Sequence, residues 1–171
     1  LEADAMYAGM MVDTNNFLTK TGVRTFEAAA YLRRLGADTV EARRLFSNSM
    51  ESYQKKTRLV SSAEVYRRCA VAVNEEVGVD DELRIVAAQA ADELLGINDV
   101  DASFVLFITG EKISVSGRSM GAVNVQVILE QMGGGGHLTM AGAQVESESI
   151  DDVKQQLLEA IDKYYEDIKP A

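Results

Sequence analysis

The run Phe104-Val105-Leu106-Phe107-Ile108 is followed by Gly110, and then by Ile113 and Val115 alternating with Ser114 and Ser116. A continuous apolar run of this length suits a strand, the glycine supplies a turn, and period-two alternation marks the returning strand. A hairpin inside a chain otherwise rich in helical periodicity restricts the fold to an α/β or α+β unit.

The flanking sequence fits that class. Residues 1 to about 57 look mainly helical, with Thr25 preceding a face formed by Phe26, Ala29 and Ala30, Gly36 as a break, and Thr39 as the cap of a short helix. Ser47 or Asn48 starts a further helix, and a domain boundary is placed at Ser61-Ser62. Val71 and Val73 mark a first strand. Asp80 or Asp81 opens a helix burying Leu83, Val86, Ala87, Ala90 and Leu94, with Gly96 as its stop. After the hairpin, Ser119 is placed to cap a helix whose Val125, Ile128, Leu129 and Met132 share a face. A strand near Ala143 to Val145 follows, and a last helix, about Ile150 to Ile168, buries Val153, Leu157, Ile161 and Tyr164 ahead of Pro170.

The strongest chemical signal is Gly133-Gly134-Gly135-Gly136 closed by His137, the only histidine. One glycine suffices to cap a helix, so four suggest backbone N–H groups brought close to a ligand, an arrangement that suits phosphate. Arg118 adds a planar fork for phosphate oxygens, and His137 a donor whose charge can vary near neutral pH. Ser116 and Ser119 offer polar contacts, although Ser119 is equally a routine cap, and Asn124 reads either as a base-contacting or a solvent-facing residue.

A net charge of -10 argues against indiscriminate nucleic-acid binding. Acids are nevertheless sparse around the glycines: between Lys112 and Val145 the only carboxylate is Glu130, where composition alone would place about five. This depletion permits an anionic ligand, and a buried hairpin and helix would produce it too. At 47% hydrophobic residues the chain can build a real core, and its single cysteine excludes an intrachain disulfide framework. No apolar run is long enough to span a bilayer, so this segment is expected to be soluble.

Two stretches carry a family resemblance. Val115-Ser116-Gly117-Arg118-Ser119-Met120-Gly121-Ala122-Val123-Asn124-Val125, continuing to Gly133-Gly134-Gly135-Gly136-His137-Leu138-Thr139, resembles the DHH-associated C-terminal domain of DHH phosphoesterases. Within that superfamily it is most similar to cyclic-di-AMP phosphodiesterases of the GdpP type. Upstream, Ala8-Gly9-Met10-Met11-Val12-Asp13-Thr14-Asn15-Asn16-Phe17 and Thr21-Gly22-Val23-Arg24-Thr25-Phe26 are similar to the closing motif of the catalytic DHH domain. Gly117 replaces a frequent alanine, and Leu138-Thr139-Met140-Ala141-Gly142-Ala143 departs from the more usual asparagine-alanine-alanine version after the histidine. These departures leave the phosphate grip in place and bear on base preference.

The resemblance implies an α/β (α+β) architecture in which residues 1–60 are the helical end of a DHH domain and residues 61–171 are a mixed-sheet DHH-associated domain with flanking helices. It implies a two-metal phosphodiesterase, usually manganese-dependent, that opens cyclic di-AMP to linear pApA. Arg118, Ser119, Gly133, Gly134, Gly135, Gly136, His137, Ser116 and Asn124 then become substrate-binding residues, and Asp13 a metal ligand. By spacing alone Asp13, before Thr14 and Asn15, reads as a turn or capping residue. The family's other metal motifs, Asp-x-Asp and Asp-His-His, are absent here, so the chain reads as the C-terminal part of a longer enzyme and is expected to be inactive alone. The implied partners are a cyclic dinucleotide or short oligonucleotide and an upstream catalytic domain, and a homodimer is compatible with them. The segment itself is expected to be cytoplasmic, without membrane contact, while the parent would be anchored by upstream helices. A short-oligoribonucleotide phosphodiesterase of the same superfamily and a non-catalytic nucleotide sensor are the alternatives.

Overall fold

A computed structural model describes residues 2–47, 49–78, 81–147 and 149–168. Expectations for Asn48, Asp80 and Pro170 lie outside the described residues. The chain divides into two compact units, Leu1–Ser49 and Met50–Ala171.

The first unit holds three helices, α1 (Glu2–Asp13), α2 (Val23–Arg34) and α3 (Thr39–Arg44). Ala8, Leu32, Ala37 and Ala42 are buried between them, and Phe17 lies between the rings of Tyr7 and Phe26 at centroid distances of 5.9 and 5.8 Å. Helix α2 begins earlier than the Thr25 signal suggests. Gly22 occupies the cap position, and Thr25 Oγ1 accepts the Gly22 N–H at 3.2 Å from the third helical position. Asp38, not Thr39, caps α3, because its Oδ1 accepts from Val40 N at 2.7 Å and Glu41 N at 3.3 Å. The break at Gly36 is real, with φ at +96°.

The second unit adds α4 (Met50–Ser61), β1 (Glu64–Tyr66), β2 (Cys69–Gly78), α5 (Asp81–Leu94), β3 (Ala102–Thr109), β4 (Lys112–Ser119), α6 (Val125–Glu130), β5 (Gly135–His137), β6 (Met140–Glu146) and α7 (Ile150–Asp167). Its compact core starts ahead of Ser61-Ser62, because α4 packs on α5 and β2. The six strands form one mixed sheet in the order β1-β2-β3-β4-β6-β5; β2 and β3 are parallel and the other neighbours antiparallel.

Strand periodicity sorts the sheet's side chains into two cores. Cys69, Val71, Phe104, Leu106, Ile113, Val115, Ala141 and Ala143 face α6 and α7. Ala70, Ala72, Val105 and Phe107 face α4 and α5. The continuous apolar run in β3 is therefore a strand covered on both faces. On the α5 side, however, the apolar core draws on β2 and β3 but on no residue of β4 or β6. There β4 presents Ser114, Ser116 and Arg118, paired in register with Gln144, Gly142 and Met140 of β6. This uncovered polar half-face positions the site described below.

The observed fold confirms the mixed-sheet class and corrects several local expectations. Strand β1 was unforeseen because its turn, Arg67-Arg68, carries no glycine or asparagine although φ is +46° and +62°. Side-chain bonds hold this costly backbone: Arg67 Nε lies 2.6 Å from Asp162, and Arg68 is bonded to Asp99 and Asp101. Helix α6 is capped by Asn124, whose Oδ1 accepts from Gln126 N and Val127 N at 3.1 and 3.4 Å, not by Ser119. Strand β6 extends from Met140, beyond the Ala143–Val145 core legible in the sequence. Helix α7 buries Val153, Leu157, Ile161 and Tyr164 as expected and is capped by Ser149. Among the described residues no helix is long and apolar enough to cross a membrane.

Candidate functional site

The uncovered half-face is the floor of a cleft of about 650 Å³. Lys112, Ser114, Ser116 and Arg118 project from β4, with Gly142 and Gln144 beside them on β6. Arg84 and Ala88 of α5 form one wall, and Gly133, Gly134 and Gly135 form the other. Lys112 and Arg118 are six residues apart on one strand, so the polar track is about 20 Å long.

Arg118 is the most constrained group here, with its side chain 14% exposed. Its Nη1 donates to Gly117 O at 2.9 Å and to Ser116 Oγ at 3.3 Å. Its Nε lies 3.4 Å from Asp92 Oδ1 but makes no hydrogen bond, which leaves a buried donor without an acceptor. Burial pushes the Asp92 carboxyl above its ordinary range, while the Arg118 charge pulls it down. With Nη1 pinned and Nε buried against Asp92, Nη2 is the guanidinium nitrogen left to meet a phosphate oxygen in the cleft.

The glycines have separate reasons. Gly133 takes φ +74° after α6, and its N–H donates to Glu130 O at 3.1 Å. The Gly134 N–H donates to Leu129 O at 2.9 Å. A Cβ on Gly134 would collide with Gly142 O and lie 2.7 Å from Ala143 Cβ; one on Gly136 would collide with Met140 O and lie 2.8 Å from Ala141 Cβ. Two of the four are therefore packing residues that let β5 approach β6, where the sequence suggested that the run as a whole brings its N–H groups to a ligand. The N–H groups of Gly133 and Gly134 also serve the end of α6 and do not form a free cradle. Gly133 and Gly135 both line the cleft with open space where a Cβ would be, but Gly133 is held at φ +74°, so Gly135 is the one whose conformation would admit a side chain.

The remaining expected residues are dispersed. Ser116 lines the cleft. Ser119 is buried at 6% exposure, and its Oγ accepts from Gly121 N at 2.9 Å and Val123 N at 3.4 Å, shaping the connection to α6. Asn124 uses its carbonyl as the α6 cap. His137 is exposed on β5 and does not line the cleft; register aligns it through Met140 with Arg118, two strands away and roughly 10 Å distant. Asp13 is exposed at the end of α1, followed by Asn15, Asn16 and Phe17 at φ +46°, +56° and +66°. Among the described residues no three histidine, cysteine, aspartate or glutamate side chains gather as a metal site. The described residues therefore do not by themselves assemble a dinuclear centre.

Sequence reading missed Arg84, Lys112, Ser114 and Gln144 as cleft residues. The signal for Lys112 and Ser114 was present, since they precede Ser116 and Arg118 at period two. Arg84 enters only because α5 docks beside β4, which no local pattern encodes.

Comparison with known proteins places these features in a lineage. The DHHA1 domain model matches residues 68–167. The chain is 46% identical over 172 residues to a cyclic-di-AMP phosphodiesterase, GdpP, of Geobacillus thermodenitrificans, covering 99% of this chain and 26% of that protein. It is 44% identical over 168 residues to the cyclic-di-AMP phosphodiesterase PdeA of Listeria monocytogenes, covering 96% and 25% respectively. The chain thus spans about a quarter of the length of these relatives. The fold matches the crystal structure of an exopolyphosphatase-related protein from Bacteroides fragilis with a TM-score of 0.82 at 22% identity, covering 95% of this chain and 50% of that one. A polar cleft on a mixed sheet, the glycine-rich turn beside it and the match across most of the second unit together establish that the chain belongs to the DHHA1 domain family.

Proposed function

We propose that this chain is the nucleotide-binding part of a phosphodiesterase that hydrolyses cyclic di-AMP to linear pApA, with residues 1–60 closing its catalytic DHH domain and 61–171 forming the substrate-binding domain. The observation that supports this most is the convergence of Arg118, Ser116 and Gly135 on one cleft, in a chain 44–46% identical to cyclic-di-AMP phosphodiesterases. Arg118 holds a phosphate through Nη2, Ser116 adds a hydroxyl donor, and the missing side chain at Gly135 lets the ligand approach the backbone. Gln144, with both donor and acceptor atoms, is suited to a base or ribose edge. His137 contributes at the rim. The four-glycine run shapes this wall chiefly through Gly135, with Gly133, Gly134 and Gly136 holding its backbone in place. Ser119 and Asn124 support the site by fixing the turn and helix behind it.

Manganese is the metal this reading implies. Its ligands would include Asp13 and otherwise come from residues beyond these 171, so hydrolysis belongs to a longer parent and the segment alone is inactive. Membrane anchoring likewise belongs to that parent.

Calorimetric titration of this chain with cyclic di-AMP, pApA and cyclic di-GMP tests the binding role. Saturable binding favouring adenine dinucleotides is expected, and Arg118→Gln should weaken it about tenfold or more, the loss of a charged hydrogen bond of about 1.5–3 kcal/mol. Equal affinity of Arg118→Gln and the parent sequence would overturn the assignment.

A further inference from the structure

Arg118 does not face the cleft as a free cation. Its Nη1 is tied to Gly117 O and Ser116 Oγ, and the Nε side that remains lies against Asp92 Oδ1 at 3.4 Å without hydrogen-bond alignment. A phosphate oxygen can bond Nη2 while the Asp92 carboxylate stays beside the buried Nε. Each negative charge on that phosphate is attracted by the guanidinium and repelled by the carboxylate, so the Asp92 repulsion acts twice on a dianion and once on a monoanion.

The other cleft charges reinforce the asymmetry. Lys112 is paired with Glu146 at 3.2 Å, but the Glu146 side chain is 82% exposed and can turn into solvent. Asp92 is 43% exposed, lies on α5, and shares the helix face of Arg84 and Ala88 at spacings of eight and four residues. It is carried by a helix packed on the sheet. Among the described residues the three cations Arg84, Lys112 and Arg118 carry two carboxylate partners, which leaves a modest positive excess.

We propose that Asp92 is a specificity-determining residue: its carboxylate beside the Arg118 guanidinium makes the cleft favour a singly charged phosphodiester over a doubly charged terminal phosphomonoester. The inference rests on the assignment of Arg118 as the phosphate-holding residue.

Adenosine 5′-monophosphate and its O-methyl ester share base and sugar and differ in phosphate charge at pH 8, which makes them suitable probes. Each is titrated by NMR into the parent sequence, Asp92→Asn, Asp92→Glu and Arg118→Gln. Asp92→Asn should improve affinity for the monophosphate about two- to fivefold more than for the ester, the range expected for one partly exposed charge. Asp92→Glu should restore the parent ratio. If Asp92→Asn alters both affinities equally, or weakens both, Asp92 only positions Arg118 and the proposal fails. If neither probe binds the parent sequence, or if Arg118→Gln leaves both affinities unchanged, the phosphate assignment itself fails and takes the discrimination with it.

Discussion

Gly134 and Gly135 are neighbours with opposite constraints. A methyl group on Gly134 would enter the space of Gly142 O and Ala143, both on the paired strand, so the backbone must move. Gly134→Ala is expected to cost about 1–3 kcal/mol, read by urea denaturation. Gly135→Ala meets nothing within 4 Å and should leave stability unchanged while weakening dinucleotide binding, because its methyl projects where the ligand would approach. Equal destabilisation by the two substitutions would contradict this division. The sequence made all four glycines look alike. What separates them is the backbone of β6, brought alongside only by tertiary structure. Arg118 and Ser116 were legible because residue type and alternation sufficed, whereas the pairing of Arg118 with Asp92 depends on a helix from a distant part of the chain.

Elements with self-contained signals were readable in the same way. Helix α7 follows from its apolar spacing, and the β3–β4 hairpin from its long apolar run and Gly110, which adopts φ +61°. The β1–β2 hairpin was not readable, because Arg67 and Arg68 hold left-handed conformations through Asp162, Asp99 and Asp101, partners far away in sequence. The start of α6 was misplaced because serine and asparagine are both good caps, and the buried Ser119 hydroxyl was already engaged by the turn before the helix. Two substitutions separate capping from base recognition at Asn124. Asn124→Ala should cost about 1 kcal/mol by urea denaturation, while Asn124→Asp keeps the acceptor and should preserve both stability and nucleotide affinity. Loss of affinity with stability retained in Asn124→Asp would assign the side-chain amide to the ligand.

At the scale of the whole second unit, the sheet explains both core and cleft: apolar helices cover one face fully and the other only as far as β3, with polar residues on β4 and β6 beyond. The same core makes stability sensitive to alkali. Burial pushes the Cys69 thiol up to about 11 from an ordinary value of 9.0. The folded state therefore holds its proton where the unfolded chain releases it, so this contribution is complete below pH 9 and is lost as pH rises to about 11. About 2–3 kcal/mol should disappear across that window. Tyr165, pushed up to about 12 by burial, adds in the same direction at higher pH. Denaturation midpoints measured from pH 7 to 11 should fall, and Cys69→Ala should flatten the pH 9–11 part of the decline; an unchanged slope would place the loss elsewhere.

The role of the uncovered half-face is tested most directly by mapping backbone amide shifts of the isotopically labelled chain during titration with cyclic di-AMP. Saturable shifts should concentrate at Ser114, Ser116, Arg118, Gly135 and Gln144, and along the Arg84–Ala88 wall, and should need about tenfold more ligand or more to saturate in Arg118→Gln. Saturable shifts confined to other surfaces, or unaltered by Arg118→Gln, would contradict the assignment of this cleft as the nucleotide site.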